Sequence, residues 1–168
     1  MDNEKHYLIL LVENNAGVLT RISSLFCQRG FNIDTLTVAS TDDPNVSRIT
    51  VSFFGNEATY EQLMNQTEKL IEVKKVISVM PERAVLRELL LVKIQTDADN
   101  VDDVVRTAAH HHFRIVDSYK GCMVLETSGS PEKIERMLSL LEPFNILEIC
   151  RTGATALEKG KVNYDLDD

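Results

Sequence analysis

The chain has 168 residues, of which 43% are hydrophobic, so it can bury the core of one ordinary domain or of two small ones. Its formal net charge of -8 would repel a phosphate backbone, which makes nucleic acid a poor partner. No apolar run approaches the roughly 18 residues that a membrane span needs, and the sequence opens with Asp2, Glu4 and Lys5 where a signal peptide would have a basic and then an apolar region. We therefore expect a cytoplasmic protein.

The first half of the chain begins with a strand and a helix joined by a short elbow. An apolar run of strand length covers residues 7–12, and apolar residues recur at helical spacing over 18–26. The segment between them, residues 13–19 (ENNAGVL), is therefore predicted to be a strand-to-helix elbow. Gly30 is predicted to lie in the C-cap position of the helix, and residues 31–39 form the next predicted strand.

The rest of the first half is predicted to continue with a strand, a helix and a strand. Asp42, Asp43 and Pro44 mark a turn, and the apolar alternation that follows is typical of a strand with one wet face. Residues 73–79 form a last short strand. Between these strands a second helix is predicted, with a buried stripe of Tyr60, Leu63, Met64, Thr67, Leu70 and Ile71.

The same order of elements restarts after a short ordered connector at residues 80–86. A helix is predicted after the first strand of this half, and Ser130 with Pro131 begins another helix after the third strand. The order strand, helix, strand, strand, helix, strand therefore occurs twice, offset by about eighty residues. The predicted strands of the second half cover residues 89–96, 114–118, 122–127 and 146–150.

This order predicts an α+β protein made of two tandem ferredoxin-like βαββαβ sandwiches, with domains at residues 1–80 and 81–168. In each sandwich a helix pair covers one face of a four-stranded antiparallel sheet. Such a sheet keeps one face and two edges uncovered, and a unit of this size buries little core. We therefore expect a homodimer at least.

The elbow is the strongest candidate for a binding site. Asn14 and Asn15 are suited to cap the helix, and Gly17 lets another group approach the backbone closely. The helix start then offers free N–H groups and a partial positive charge, with the amide of Asn32 nearby, and such a site suits a small carboxylate. The alternative is that the elbow is only a turn and a helix cap.

No catalytic or metal-binding constellation emerges from the rest of the chain. His110, His111 and His112 would lie about 100° apart on a helix, so they cannot converge on one metal ion. Ser23 and Ser24 lack a paired base, and the GxxxxGK[ST] and GxGxxG phosphate-binding patterns are absent. An enzyme active by itself is therefore disfavoured.

The three cysteines, Cys27, Cys122 and Cys150, are odd in number and far apart. Their spacing matches neither a disulfide framework nor a CxxC metal site. Because their sequence neighbours are apolar, we expect buried thiols.

With this order of elements, the elbow and the later SRITV phrase, the first half strongly resembles an ACT domain, the amino-acid-sensing module. Nearly the whole chain resembles the regulatory (small) subunit of acetohydroxyacid synthase, also called acetolactate synthase. The resemblance is carried by the segments RGFNI, TDDP and LLLVKI and by the RTG segment that opens residues 151–160. The triple histidine and the acidic tail at residues 165–168 depart from the family pattern.

The resemblance implies a subunit without its own active site or cofactor that binds and activates a catalytic subunit. That partner is expected to use thiamine diphosphate, Mg²⁺ and FAD, and to form acetolactate from pyruvate in the synthesis of valine, leucine and isoleucine. The regulatory subunit typically confers feedback inhibition by valine. Which branched-chain amino acid binds best stays open, because one methylene is worth only about 1 to 3 kcal/mol in an apolar pocket.

Carried onto this sequence, the family's effector lies between two ACT domains of the dimer. The alternative function is a free-standing amino-acid sensor that acts on another enzyme or on a transcription factor. The effector-binding residues implied by the resemblance are Asn14, Ala16, Gly17, Val18 and Leu19 from one elbow, with Asn32 and Ile33, which the resemblance allows to come from the partner.

Overall fold

The computed structural model describes residues 4–160. The predicted acidic tail at residues 165–168 lies outside the described residues. Along the described chain, strands and helices follow one another in the predicted order, with one further strand near the end.

The first set of elements forms an antiparallel sheet with two helices. Its strands have the order β2-β3-β1-β4, so β1 is central and β2 and β4 are the edges. Because β1 has neighbours on both sides and buries both faces, its sequence is a continuous apolar run. The elements are β1 (Glu4–Glu13), α1 (Val18–Gln28), β2 (Ile33–Ser40), β3 (Val46–Gly55), α2 (Glu57–Thr67) and β4 (Val73–Val79).

The second set of elements repeats this order after a short 3-10 turn at Pro81–Arg83. The path through its sheet is β6-β7-β5-β8, and the additional strand β9 pairs with β5. The prediction of an α+β protein with two βαββαβ sandwiches is confirmed, whereas β9 was not predicted. The elements are β5 (Ala84–Gln95), α3 (Val101–His110), β6 (Arg114–Tyr119), β7 (Cys122–Gly129), α4 (Pro131–Leu141), β8 (Ile146–Arg151) and β9 (Thr155–Glu158).

The described chain divides into two compact units. The first comprises residues 4–85 together with 154–160, and the second comprises 86–153. The segment that contains β9 thus groups with the first unit, unlike in the predicted ranges. One reason is that Lys159 returns to the connector, where its N–H donates to the carbonyl of Arg83 at 2.8 Å.

The core of the first unit lies between its sheet and the two helices. Alternate residues of β1 and β3 point into it, because successive side chains of a strand face opposite sides. Ile71 was predicted to belong to the buried stripe of α2, but it is 89% exposed, because the helix ends at Thr67 and Ile71 follows in a turn. The fully buried large side chains of this core are Leu8, Leu10, Ile22, Phe26, Ile49, Phe53 and Leu63.

The other face of the first sheet is also buried along β1. Tyr7, Ile9 and Leu11 alternate with the core residues and expose 4%, 0% and 6% of their surface. The expectation of an uncovered face is therefore wrong along β1, whereas Ala39 of β2 on the same face is exposed. At β3, the side chain of Arg48 lies on this face and donates from Nη2 to the carbonyl of Ala156 in β9 at 2.9 Å, so β9 is part of the cover.

Helices α1 and α3 end in the same way. Gly30 follows α1 with φ 73°, and the N–H of Phe31 then donates to the carbonyl five residues back at 2.9 Å. His112 follows α3 with φ 60°, and the N–H of Phe113 makes the equivalent bond at 2.9 Å. This is the helix end that a left-handed residue produces, usually glycine. The last histidine of the triple therefore occupies a position that favours glycine.

The cysteines are not buried as expected. Cys27 and Cys150 are exposed, and Cys122 is half-buried. The expectation used sequence neighbours, but residues adjacent in a helix or a strand point in different directions, so apolar neighbours do not imply burial.

Candidate functional site

The elbow joins the end of β1 to the start of α1 through a left-handed glycine. Gly17 is the N-cap residue of α1 and has φ 92°. A Cβ atom added there would meet nothing within 4 Å, so the space above this glycine is open. The backbone conformation, and not crowding, therefore favours glycine at this position.

Asn14 and Asn15 do not cap α1, so that prediction is wrong. Asn14 donates from Nδ2 to the carbonyl of Pro44 at 2.9 Å, and Asn15 donates from Nδ2 to Oε2 of Glu13 at 2.9 Å. The N–H of Asn14 also donates to the carbonyl of Asn45 at 2.8 Å. Asn14 therefore holds the elbow against the turn between β2 and β3, a contact that joins residues far apart in sequence.

The first turn of α1 has open backbone donors. The N–H of Val18 makes only a long bond of 3.4 Å to the carbonyl of Asn15. Within residues 4–160, neither the N–H of Leu19 nor that of Thr20 has a hydrogen-bond acceptor. Two or three amides thus point out of the helix start, where the helix dipole also favours an anion.

The start of α1 differs from the other α-helix starts in the described part of the chain. Helices α2 and α4 have a side-chain cap, from Asn56 and Ser130, followed by an acidic residue in the first turn. Helix α3 has Asp102 and Asp103 in its first turn. Helix α1 has neither a side-chain cap nor an acidic residue in its first turn. Its positive end therefore has no compensating cap or first-turn carboxylate among residues 4–160.

An ion pair supports the elbow from the side. Nη1 of Arg21 lies 2.5 Å from Oε1 of Glu72, and the N–H of Glu13 donates to the carbonyl of Glu72 at 2.9 Å. The second carboxylate oxygen of Glu72 is buried and has no partner among the described residues. These contacts join the start of β4 to the elbow and to the first turns of α1. Sequence reasoning missed them, because the residues lie about fifty positions apart and no local pattern links them.

The two groups of predicted effector-binding residues lie at opposite ends of α1. Asn14, Ala16, Gly17, Val18 and Leu19 surround its start, whereas Asn32 and Ile33 follow its end. A helix of 11 residues is about 16 Å long, so the two groups do not meet within one chain. The assignment of these residues to an effector stays a prediction, and a shared ligand would need Asn32 from a second copy.

A depression of about 420 Å³ marks the second group of residues. It is open to the surface and lies at the end of α1 and the start of β2. Its lining residues are Ser23, Phe26, Cys27, Gly30, Phe31, Asn32 and Ile33.

The edge strand β2 lies beside this depression. Val38 on β2 and Leu19 on α1 expose 43% and 44% of their surface. β2 contains no lysine or proline, whereas the opposite edge strand, β4, contains Lys74 and Lys75. Charged residues at an edge, lysine above all, oppose pairing with another chain. The charged residue of β2, Asp34, is already paired with Lys5, so β2 is the edge better suited to accept a second copy.

Residues 4–160 contain no group of three or more histidine, cysteine or acidic side chains placed to hold a metal ion. His110 ends α3 and stacks edge to face on His111, with ring centroids 4.7 Å apart, while His112 turns the chain out of the helix. Over the same residues, no helix is long and apolar enough to span a membrane.

Two family models match the chain and together span most of it. The model described as an AHAS small subunit-like ACT domain matches residues 8–75, and the model of the small subunit of acetolactate synthase matches residues 87–160.

Similar proteins carry the same description over nearly their full length. The acetolactate synthase small subunit of Mycolicibacterium smegmatis is 37% identical over 92% of this chain and 91% of its own. The probable acetolactate synthase small subunit of Methanothermobacter thermautotrophicus is 37% identical over 95% of this chain and 96% of its own. The crystal structure of the acetolactate synthase small subunit from Thermotoga maritima superposes with a TM-score of 0.85 at 32% identity, over 95% of this chain and 99% of that one.

Proposed function

Because this chain belongs to the family of acetolactate synthase small subunits, we propose that it is the regulatory subunit that binds and activates the catalytic subunit of that enzyme. In this proposal it also confers feedback inhibition by valine on the synthesis of valine, leucine and isoleucine. It carries no cofactor of its own, and its catalytic partner uses thiamine diphosphate, Mg²⁺ and FAD. The observation that supports the regulatory role most directly is the open, uncapped start of α1.

The proposed effector site joins the elbow of one copy to the end of α1 in another. The open N–H groups at Val18 to Thr20 receive the carboxylate of the amino acid, in line with the positive end of the helix dipole. Asn14 contacts Pro44 through Nδ2, and its Oδ1 accepts no hydrogen bond from the described residues. This oxygen can therefore accept a hydrogen bond from the ammonium group of the amino acid.

The remaining contacts would fix the side chain of the effector. Leu19, which is 44% exposed at the elbow, offers an apolar wall, and Ile33 offers another beside Asn32. A branched aliphatic side chain suits such walls, because its burial is favourable and leaves no polar group unpaired.

Regulation would follow from sharing the ligand between two chains. An amino acid that needs both copies favours the dimer arrangement that closes the site. Inhibition results when that arrangement fits the catalytic subunit less productively, for which a coupling of about 1 to 3 kcal/mol is enough.

The test replaces Gly17 with aspartate, which puts a fixed carboxylate where the carboxylate of the effector is proposed to bind. Gly17→Asn is the matched control, because asparagine has nearly the same shape and also tolerates a left-handed backbone, here at φ 92°. We expect Gly17→Asp to abolish valine inhibition of the reconstituted enzyme and valine binding in calorimetry. Gly17→Asn should retain a measurable response. An unaltered valine response in Gly17→Asp would overturn the site assignment.

A further inference from the structure

A second, polar pocket lies in the first unit, away from the elbow. It has a volume of about 290 Å³ and is formed by β2, β3, the turn between them and β9. We propose that this pocket binds a small free α-amino acid, with its carboxylate at Arg48 and its ammonium group towards Asp42. The lining residues are Thr37, Ala39, Ser40, Thr41, Asp42, Arg48, Thr50 and Thr155.

The register between β2 and β3 places the residues that line this pocket. Thr37 pairs with Thr50, and Ala39 pairs with Arg48, so all four side chains lie on one face of the β2–β3 ladder. This is the face opposite α1 and α2, because Thr50 and Arg48 also pair with Ile9 and Leu11 of β1. Beside Arg48, Ala39 contributes only a methyl group, which leaves room above the sheet.

Arg48 is a partly buried cation without a carboxylate partner. It donates from Nη2 to the carbonyl of Ala156 at 2.9 Å, and no ion pair joins it to any carboxylate among residues 4–160. Burial lowers the pKa of its guanidinium below the usual value, and the negative charge of Glu158 offsets this in part. Buried charges are normally paired, so the remaining N–H groups of Arg48 are well placed to receive an anion.

Thr50 provides a second polar group at the pocket. It is only 2% exposed, and it lies among the residues that line the pocket. A hydroxyl group can donate to a carboxylate. Because Thr50 borders the pocket and pairs with Thr37 across the ladder, it is placed to contact a molecule bound beside Arg48.

Asp42 places the opposite charge at the mouth of the same pocket. It is exposed and forms no ion pair or hydrogen bond with the rest of the described chain, including Arg48. Two unpaired charges of opposite sign on one small pocket match a ligand that carries both. A free amino acid does so on a single carbon atom, whereas a simple anion would meet Arg48 and be repelled by Asp42.

The test compares L-alanine with L-lactate, which has nearly the same size but carries a hydroxyl in place of the ammonium group. The full-length chain is labelled with ¹⁵N, and the amide shifts of Thr37, Thr50 and Thr155 are followed during titration. We expect saturable shifts with alanine and about tenfold weaker binding of lactate. Failure of alanine to produce saturable shifts, or equal affinity for lactate, would overturn the proposal.

Three variants at the pocket and one control variant assign the contacts. Arg48→Met should abolish the shifts, whereas Arg136→Met, on an exposed position of α4, should leave them unchanged. Asp42→Asn changes only an exposed turn residue, and it should weaken alanine binding several-fold while strengthening lactate binding, because it removes a charge that attracts the ammonium group and repels an anion. If Arg48→Met fails to fold, Thr50→Val supplies an isosteric variant that should also weaken alanine binding. If Arg48→Met and Asp42→Asn both fold and both bind alanine with wild-type affinity, the proposal is overturned.

The two amino-acid sites can be separated experimentally. Gly17→Asp changes the elbow only, so it should leave alanine-induced shifts at Thr37, Thr50 and Thr155 intact. Loss of valine inhibition with intact shifts at this pocket would support both sites as independent. Intact valine inhibition in Gly17→Asp together with intact shifts would refute the elbow site and support the pocket.

Discussion

At the scale of single residues, a left-handed backbone conformation marks both ends of α1 and the last histidine of the triple. Gly17 and Gly30 bracket α1 with φ 92° and 73°, and both conformations are easily adopted by glycine. His112 has φ 60° at the end of α3, in the place that Gly30 occupies after α1. The side chain at His112 therefore carries a conformational cost that the first half of the chain avoids.

We predict that His112→Gly stabilises the protein by about 0.5 to 1 kcal/mol, because relief of left-handed strain exceeds the added flexibility of the unfolded chain. Thermal unfolding should show this as a higher Tm. His111→Gly is the neighbouring control, since His111 has φ -101° and gains nothing from glycine, so its Tm should fall. A lower Tm for His112→Gly would contradict the assignment of strain to this residue.

At the scale of secondary-structure elements, the start of α1 is held in place by contacts from two other parts of the first unit. Asn14 bonds to the turn between β2 and β3, and Arg21 bonds to Glu72 before β4. The side chain of Glu72 is only 16% exposed, whereas that of Arg21 is 65% exposed. The carboxylate therefore depends on its partner more than the guanidinium does.

We predict that Arg21→Met destabilises the protein by about 1 to 2 kcal/mol, because it leaves the nearly buried carboxylate of Glu72 without a counter-charge. The partial exposure of Arg21 keeps this below the cost of breaking a fully buried pair. Denaturant unfolding measures the change. Adding Glu72→Gln to Arg21→Met should recover part of the loss.

Arg106→Met is the control for this ion pair, because Arg106 pairs with Asp103 on an exposed surface of α3. Its free energy of unfolding should change little. Equal effects of Arg21→Met and Arg106→Met would show that the elbow does not depend on Glu72.

At the scale of the whole molecule, the proposed effector site is complete only in an assembly. The elbow and Asn32 lie about 16 Å apart in one chain, given the length of α1 and the rise of a helix. In the proposed assembly, a second copy pairs at β2 and places the end of its α1 near the elbow of the first. The homodimer and the valine site are therefore linked in this proposal, and one variant can test both.

We predict that Val38→Lys weakens the dimer at least about tenfold, because a symmetric interface would bring like charges together. Ile71→Lys is the control, since Ile71 is 89% exposed and lies just before β4, the edge of the sheet opposite β2. Sedimentation equilibrium measures the association, and calorimetry should show a parallel loss of valine affinity for Val38→Lys. An unchanged dimer would exclude β2 as the shared edge.

Recovery of the catalytic partner tests the regulatory role at the same scale. Co-purification of the full-length chain from its native cell at low salt should yield a large thiamine-dependent enzyme. Absence of that enzyme would favour the free-standing amino-acid sensor instead.

The sequence by itself determined the order of elements, the duplication and the location of the elbow. These features depend on local propensity and periodicity: the apolar run of β1, the helical spacing after Val18 and the glycines at positions 17 and 30 act over a few neighbours. The left-handed end of α3 at His112 was not predicted, because histidine rarely adopts a left-handed conformation and so gives no sequence signal for it.

Only the tertiary structure decided what each side chain does. In the structure, Asn14 does not cap the helix but donates to the carbonyl of Pro44, and Arg21 pairs with Glu72. The unpredicted strand β9 accepts a hydrogen bond from Arg48, and Cys27 is exposed. Each of these outcomes depends on groups that the fold brings together from positions far apart in sequence, or on which way a side chain faces. Hydrogen bonding and burial depend on which atoms lie close together in space, so the local pattern of residue types along the chain does not predict them.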